Sequence, residues 1–76
     1  MGMERDVLEE LVTEYGEVFF VLDSGIEVEV HGERGYDVTA RGGRQYLRAE
    51  GMHDGEWLIR EVPIDTIEHA YSHKEV

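Results

Sequence analysis

Four arginines and a tyrosine, Arg34, Arg41, Arg44, Tyr46 and Arg48, are the side chains of this sequence best suited to gripping or stacking a ligand. A guanidinium offers a planar fork of donors that grips phosphate or carboxylate, and an aromatic ring beside it can stack a base, as in single-strand nucleic-acid binders. The same side chains have a plainer use, which is pairing with the chain's own glutamates or with the acidic surface of a second subunit. Sequence alone leaves both uses open, a nucleic-acid face of the RNA-binding kind or a protein contact.

His69 and His73 stand four apart. On a helix that spacing puts two imidazoles on one face as a metal pair, with His31, His53 or Glu68 as third ligand. On a strand it separates them too far to chelate. No third ligand has a diagnostic spacing, so the histidines read as solvated or satisfied, and neither a metal nor a cofactor is expected. Catalysis needs a nucleophile with a base, paired carboxylates in a cleft, or a metal with an open position. Ser24 and Ser72, the only serines, fall on turns or an edge. With eighteen acidic residues, pairing any two carboxylates carries no information. No phosphate-binding glycine loop or dinucleotide fingerprint is present, so no small-molecule substrate is inferred and the chain reads as non-catalytic.

A β-hairpin holds Arg41, Arg44 and Arg48. Gly42-Gly43 lies between two runs rich in β-branched and aromatic residues, the pattern of a two-residue hairpin loop with positive φ at both central positions. Such a loop sets Arg41 opposite Arg44, Thr39 opposite Tyr46, Val38 opposite Leu47, Asp37 opposite Arg48 and Tyr36 opposite Ala49. Period-two alternation then puts Tyr36, Val38, Leu47 and Ala49 on one face, and Asp37, Thr39, Arg41, Arg44, Tyr46 and Arg48 on the other. Asp37 facing Arg48 is a favourable cross-strand pair, whereas Arg41 facing Arg44 is not.

Upstream, Met3, Val7, Leu8, Leu11, Val12 and Tyr15 recur at three-to-four-residue spacing and predict an amphipathic helix over residues 3–15 that Gly16 ends. Its polar face is acidic where membrane-surface helices are usually basic, so it is expected to pack on a sheet. Glu17 to Leu22 and Ile26 to His31 form a hairpin about Asp23-Ser24-Gly25. A three-residue loop there buries Val18, Phe20 and Leu22 with Ile26, Val28 and Val30, and a two-residue loop buries Phe19 and Val21 instead. The first strand is apolar on both faces, as suits a strand held between the helix and a barrel interior. Asp54-Gly55 marks another hairpin, joining residues 47–52 to 56–62, and Pro63 ends that strand. Residues 64–72 stay ambiguous between a one-turn connector with a last strand and a terminal helix using Ile64, Ile67 and Tyr71.

Seventy-six residues make one expected domain, and a chain this short buries only about 60% of its unfolded surface, so oligomerisation would help it. There is no cysteine, and hence no disulfide or thiolate metal site. The longest purely apolar run, residues 18–22, is too short for a signal peptide or membrane span, so a cytoplasmic protein is expected. Eighteen acids against seven bases give a net charge of −11. The distribution is uneven: residues 1–33 hold ten acids and one base, residues 34–48 one acid and four bases, and residues 49–76 seven acids and two bases, or −9, +3 and −5.

Only one base is a lysine and asparagine is absent. This composition resembles that of proteins from extremely salt-loving archaea, whose glutamate-rich surfaces stay hydrated in concentrated salt. The competing reading is an acidic protein that binds basic partners or mimics nucleic acid. A second resemblance rests on Leu22-Asp23-Ser24-Gly25-Ile26-Glu27-Val28 and on Ile59-Arg60, which are similar to the two motifs of the Sm-like proteins. With a helix, four closely spaced strands, a short turn after a proline and a fifth strand, the chain resembles the Sm-like and SH3-like small barrels. The resemblance implies an α+β fold in which an N-terminal helix precedes a five-stranded antiparallel meander closing into a small barrel or roll. Small barrels commonly bind RNA or peptides. Glu61 stands where the second Sm motif has glycine, and the asparagine of the Sm uridine pocket has no counterpart here. The expected function is a small non-catalytic interaction or self-assembly module, with a nucleic-acid-binding barrel as the alternative. The expected partners are accordingly protein, a second copy, or RNA.

Overall fold

The computed structural model describes residues 2–33, 35–53 and 55–73. Helix α1 (Arg5–Tyr15) ends at Gly16, whose φ of 77° lets its N–H reach the Val12 carbonyl at 2.8 Å. Six antiparallel strands follow: β1 (Glu17–Leu22), β2 (Glu27–His31), β3 (Tyr36–Arg41), β4 (Arg44–His53), β5 (Glu56–Pro63) and β6 (Ile67–Tyr71), with a 3-10 turn at Ile64–Thr66. The fold is α+β with the helix leading, as expected. The strands, however, number six rather than five, and among the described residues they form two three-stranded sheets, β2-β1-β6 and β3-β4-β5, instead of one closed barrel. The ladder breaks where the chain changes sheet: at Gly32-Glu33, ahead of Gly35 with φ 84°, and at the 3-10 turn after Pro63.

One core lies between the sheets. Val18, Phe20, Leu22, Val28 and Val30 face it from the first sheet, Val38, Leu47 and Ala49 from the second, and Leu8, Val12, Ile64 and Ile67 complete it. Burying each larger aliphatic or aromatic side chain removes apolar surface worth about 1.5–3 kcal/mol from water, which is what holds two such small sheets together. The Asp23-Ser24-Gly25 loop has three residues, with Leu22 and Ile26 bonded across it and Gly25 at φ 90°. Hence Val18, Phe20 and Leu22 are the buried set. Ile26, expected with them, is exposed, because it sits on the loop side of β2 beyond the edge of the core.

The helix also differs from expectation. Leu8 and Val12 are buried while Val7 and Tyr15 are exposed, so the helix rests on the core along a narrower line than its apolar stripe. It closes the core from the inner side. The outer face of β1 is covered instead by its own sheet: Phe19 stacks on Tyr71, with ring centroids 5.0 Å apart.

Residues 67–71 are a strand. β6 pairs with β1 through Phe20 and Ala70, and a bulge lets Ile67 pair with Leu22 although Val21 pairs with His69. That extra residue is why Ile67 and Ala70, three apart, both turn inward.

In the β3–β4 hairpin the register is the expected one throughout, from Tyr36 opposite Ala49 to Arg41 opposite Arg44. Gly42 and Gly43 have φ of 56° and 79°. A Cβ on Gly43 would meet nothing within 4 Å, so the cost of a side chain there comes from the backbone alone. Gly43→Val should therefore lose on the order of 1–3 kcal/mol. In a thermal melt followed by circular dichroism the variant should unfold several degrees below the parent; coincident melts would show that the left-handed loop does not matter.

Candidate functional site

The outer face of the β3-β4-β5 sheet carries the arginines. Along β4 the outward positions are Arg44, Tyr46, Arg48 and Glu50, and the register sets Thr39 and Pro63 beside Tyr46, Asp37 and Glu61 beside Arg48, and Ile59 beside Glu50. The hairpin thus delivers its polar face outward, as period-two alternation requires. Arg34, the fifth residue of the expected set, lies outside the described residues.

Electrostatics then divides the set. Arg41 and Arg44, opposite each other across the loop, turn away to separate carboxylates. Arg41 ion-pairs with Glu61 and lies over the Tyr46 ring, 4.4 Å from its centroid. Arg44 donates from Nε to Asp65 Oδ2 at 2.8 Å and from Nη2 to Asp65 Oδ1 at 2.7 Å, a two-point grip on the 3-10 turn. That grip holds the Asp65 carboxyl below its ordinary value and raises the Arg44 guanidinium further. The Glu61 hydrogen bond likewise raises Arg41. Arg48 has an acid on either side in the register, Asp37 and Glu61. All three described arginines of the face therefore have carboxylate neighbours from their own chain. The structure brings Arg41 and Tyr46 together, sets Arg48 one row further along the sheet, and draws Arg44 off to the turn.

The pairing partners Glu61 and Asp65 were not legible as such, because both are remote in sequence from the hairpin. Nor did sequence reasoning single out Trp57 and Ile59. They occupy the same outward face at the far end of β5, each about half exposed, at 52% and 53%. The available signal was their alternation with Leu58, which becomes informative once β5 is paired to β4. Trp57 lies opposite Met52, six residues along β4 from Tyr46, or roughly 20 Å at the rise of a strand. The two aromatic side chains are thus separate platforms.

The histidine pair does not form a chelate. His69 and His73 are four residues apart in extended chain, about 13 Å by strand rise, with Tyr71 between them on the same outward side of the first sheet. His53, one of the third ligands weighed with them, has only its backbone described. The serines are also accounted for: Ser24 sits in the β1–β2 turn, and the Ser72 hydroxyl donates to the Glu17 carbonyl. No helix among the described residues is long and apolar enough to cross a membrane. Comparison with family models, curated proteins and solved structures returns no match.

Proposed function

We propose that the protein is a small non-catalytic interaction module of a salt-adapted cell interior, which self-associates through the outer face of the β3-β4-β5 sheet. The observation that carries this reading is the half-exposed pair Trp57 and Ile59 on that face, two apolar side chains at successive outward positions of β5. Trp, Tyr and Arg are the residue types that dominate binding energy at protein interfaces, and this face combines Trp57 with Tyr46 and Arg48. A marginal core in 76 residues gives a second copy something to stabilise. The likeness to the Sm-like and SH3-like small barrels belongs to the same reading, supported by the leading helix, the strand succession and the one-turn helix ahead of β6.

The nucleic-acid alternative draws support from Tyr46 beside Arg48. It ranks second because Arg41 covers the Tyr46 ring and Asp65 occupies the Arg44 fork, the groups that a base and a phosphate would need.

Sedimentation at molar KCl tests the first reading. The parent should show a concentration-dependent dimer or larger species, and Trp57→Ser with Ile59→Thr should return it to monomer with an unchanged circular-dichroism spectrum. A parent that stays monomeric at every concentration, with Tyr46 and Arg48 amide resonances that shift on adding short single-stranded RNA, would transfer the role to nucleic acid.

A further inference from the structure

The outer face of the first sheet holds a row of side chains that neither reading uses. Glu17 on β1 lies directly opposite His31 on β2, and on its other side the chain leaving β6 brings His73 alongside. Three observations fix that row. Ser72 donates to the Glu17 carbonyl, the Phe19 ring meets His73 edge-on at 5.1 Å and 84°, and Phe19 itself pairs with Tyr71 in the β1–β6 ladder. Residues directly opposite in a sheet have Cβ atoms about 4.5–5.5 Å apart, so the Glu17 carboxylate stands between two imidazoles.

Their polar atoms are close. His31 Nδ1 lies 3.3 Å from Glu17 Oε2, His31 Nε2 lies 3.0 Å from Glu29 Oε1, and His73 Nε2 lies 4.0 Å from Glu17 Oε1. Donor atoms of Glu17, Glu29 and His31 all fall within 4.8 Å of one another. A neutral imidazole has one N–H and one lone pair. With a carboxylate at each of its ring nitrogens, His31 therefore aims a lone pair at an anion unless a cation stands between them. The base that comes near is Arg60, which donates to the Glu27 carbonyl at 3.3 Å and lines the same pocket as Glu29, while Arg5 is paired with Glu9.

The geometry points to a site for a divalent first-row metal ion, bound by Glu17, His31 Nδ1 and His73 Nε2, with Glu29 accepting the Nε2–H of His31. A histidine that ligates through one nitrogen and donates its other N–H to a carboxylate has the orientation that metal-bound histidines ordinarily take. Two imidazoles and a carboxylate are a ligand set zinc accepts, with a further position left open. Bonds of about 2.0–2.1 Å in a tetrahedron set ligand atoms roughly 3.3 Å apart. The His31–Glu17 separation of 3.3 Å already matches this. His73 lies 4.0 Å from the other oxygen of Glu17 and outside the group formed by Glu17, Glu29 and His31, so it has to swing across Glu17 toward His31 to complete the set. The His73 side chain is exposed, and its edge contact with the Phe19 ring is what that movement would give up.

Titration with Zn²⁺, in potassium nitrate because nitrate competes poorly for zinc, tests the site on the full chain. Isothermal calorimetry should find one equivalent bound, and proton NMR should show the His31 and His73 ring resonances shifting together while those of His69 stay put. His73→Ala and Glu17→Gln should each weaken binding by about tenfold or more, whereas His69→Asn should leave it unchanged. Because His73 is exposed beyond the last strand, its removal leaves the fold intact, so this variant decides even if His31→Asn does not fold. Unaltered zinc affinity in His73→Ala would overturn the site. So would equal weakening by His69→Asn, or displacement of Zn²⁺ by an equal concentration of Mg²⁺, which would mark a diffuse acidic surface. A parent that binds no zinc would refute the metal.

Discussion

Moving the protein from molar to about 10 mM KCl should unfold it or bring it close to its midpoint, because eleven uncompensated negative charges on 76 residues are then screened only over roughly 30 Å instead of 3 Å. The magnitude follows from Coulomb self-energy. A folded chain with a Cα radius of gyration of 11.9 Å behaves as a sphere of roughly 15 Å, against a sphere of roughly 35 Å for the unfolded coil. In water the folded state is then disfavoured by about 8 kcal/mol at 10 mM and about 2 kcal/mol at 1 M, a loss of about 6 kcal/mol on dilution. Total stability at this length is of order 4–11 kcal/mol, so the loss is a large share of it. The ion pairs Arg5–Glu9, Arg41–Glu61 and Arg44–Asp65 do not change the net charge. They are exposed and contribute little individually. Far-ultraviolet circular dichroism and melting temperature should both rise steeply with KCl. A flat response across that range would remove the salt-adapted reading.

The second large effect is expected at Phe20. It is fully buried at the centre of β1, paired with Val28 on one side and Ala70 on the other, so both neighbouring strands are in place around it. Truncation to alanine removes the transfer energy of a ring and leaves a cavity that flanking strands cannot easily fill, about 3–5 kcal/mol. Against a stability of the same order, Phe20→Ala should be unfolded at low salt and only marginally folded at molar KCl. Phe19→Ala should lose much less. That ring lies on the outer face over Tyr71, and its stack is worth about 0.5–1.5 kcal/mol beyond the area it covers. Chemical denaturation of the two variants side by side measures the difference. Equal losses, or a larger one at Phe19, would mean that the three-residue loop and the burial it dictates are wrong.

That contrast separates what local sequence carries from what it does not. The β3–β4 hairpin was legible down to each facing pair, because Gly42-Gly43 specifies loop length and conformation and the alternation on both strands admits one register with a consistent apolar face. Gly16 ended the helix for an equally local reason. The β1–β2 loop was open between two lengths, since Glu17 to Leu22 is apolar at every position but the first and alternation cannot choose a face. Burial of Phe20 rather than Phe19 is decided by which side meets the second sheet and the helix. The last segment was ambiguous for a related reason: Ile64, Ile67 and Tyr71 recur at three- and four-residue spacing like a helix face, yet a 3-10 turn and a bulge bring Ile64, Ile67 and Ala70 inward from an extended chain and leave Tyr71 outside. The strands' division into two sheets likewise depends on where the chain changes partner, at Gly32-Glu33 and after Pro63, and neither position encodes the partner it turns toward. The candidate face shows the same limit. Composition and spacing located its arginines, but their carboxylate partners at Glu61 and Asp65, the exposed Trp57 and Ile59 beside them, and the Glu17–His31–His73 row come from strands distant in sequence. Local sequence dictates backbone conformation and the sign of the charge, whereas which charges meet follows from the packing of the whole core, since that packing brings remote strands into contact.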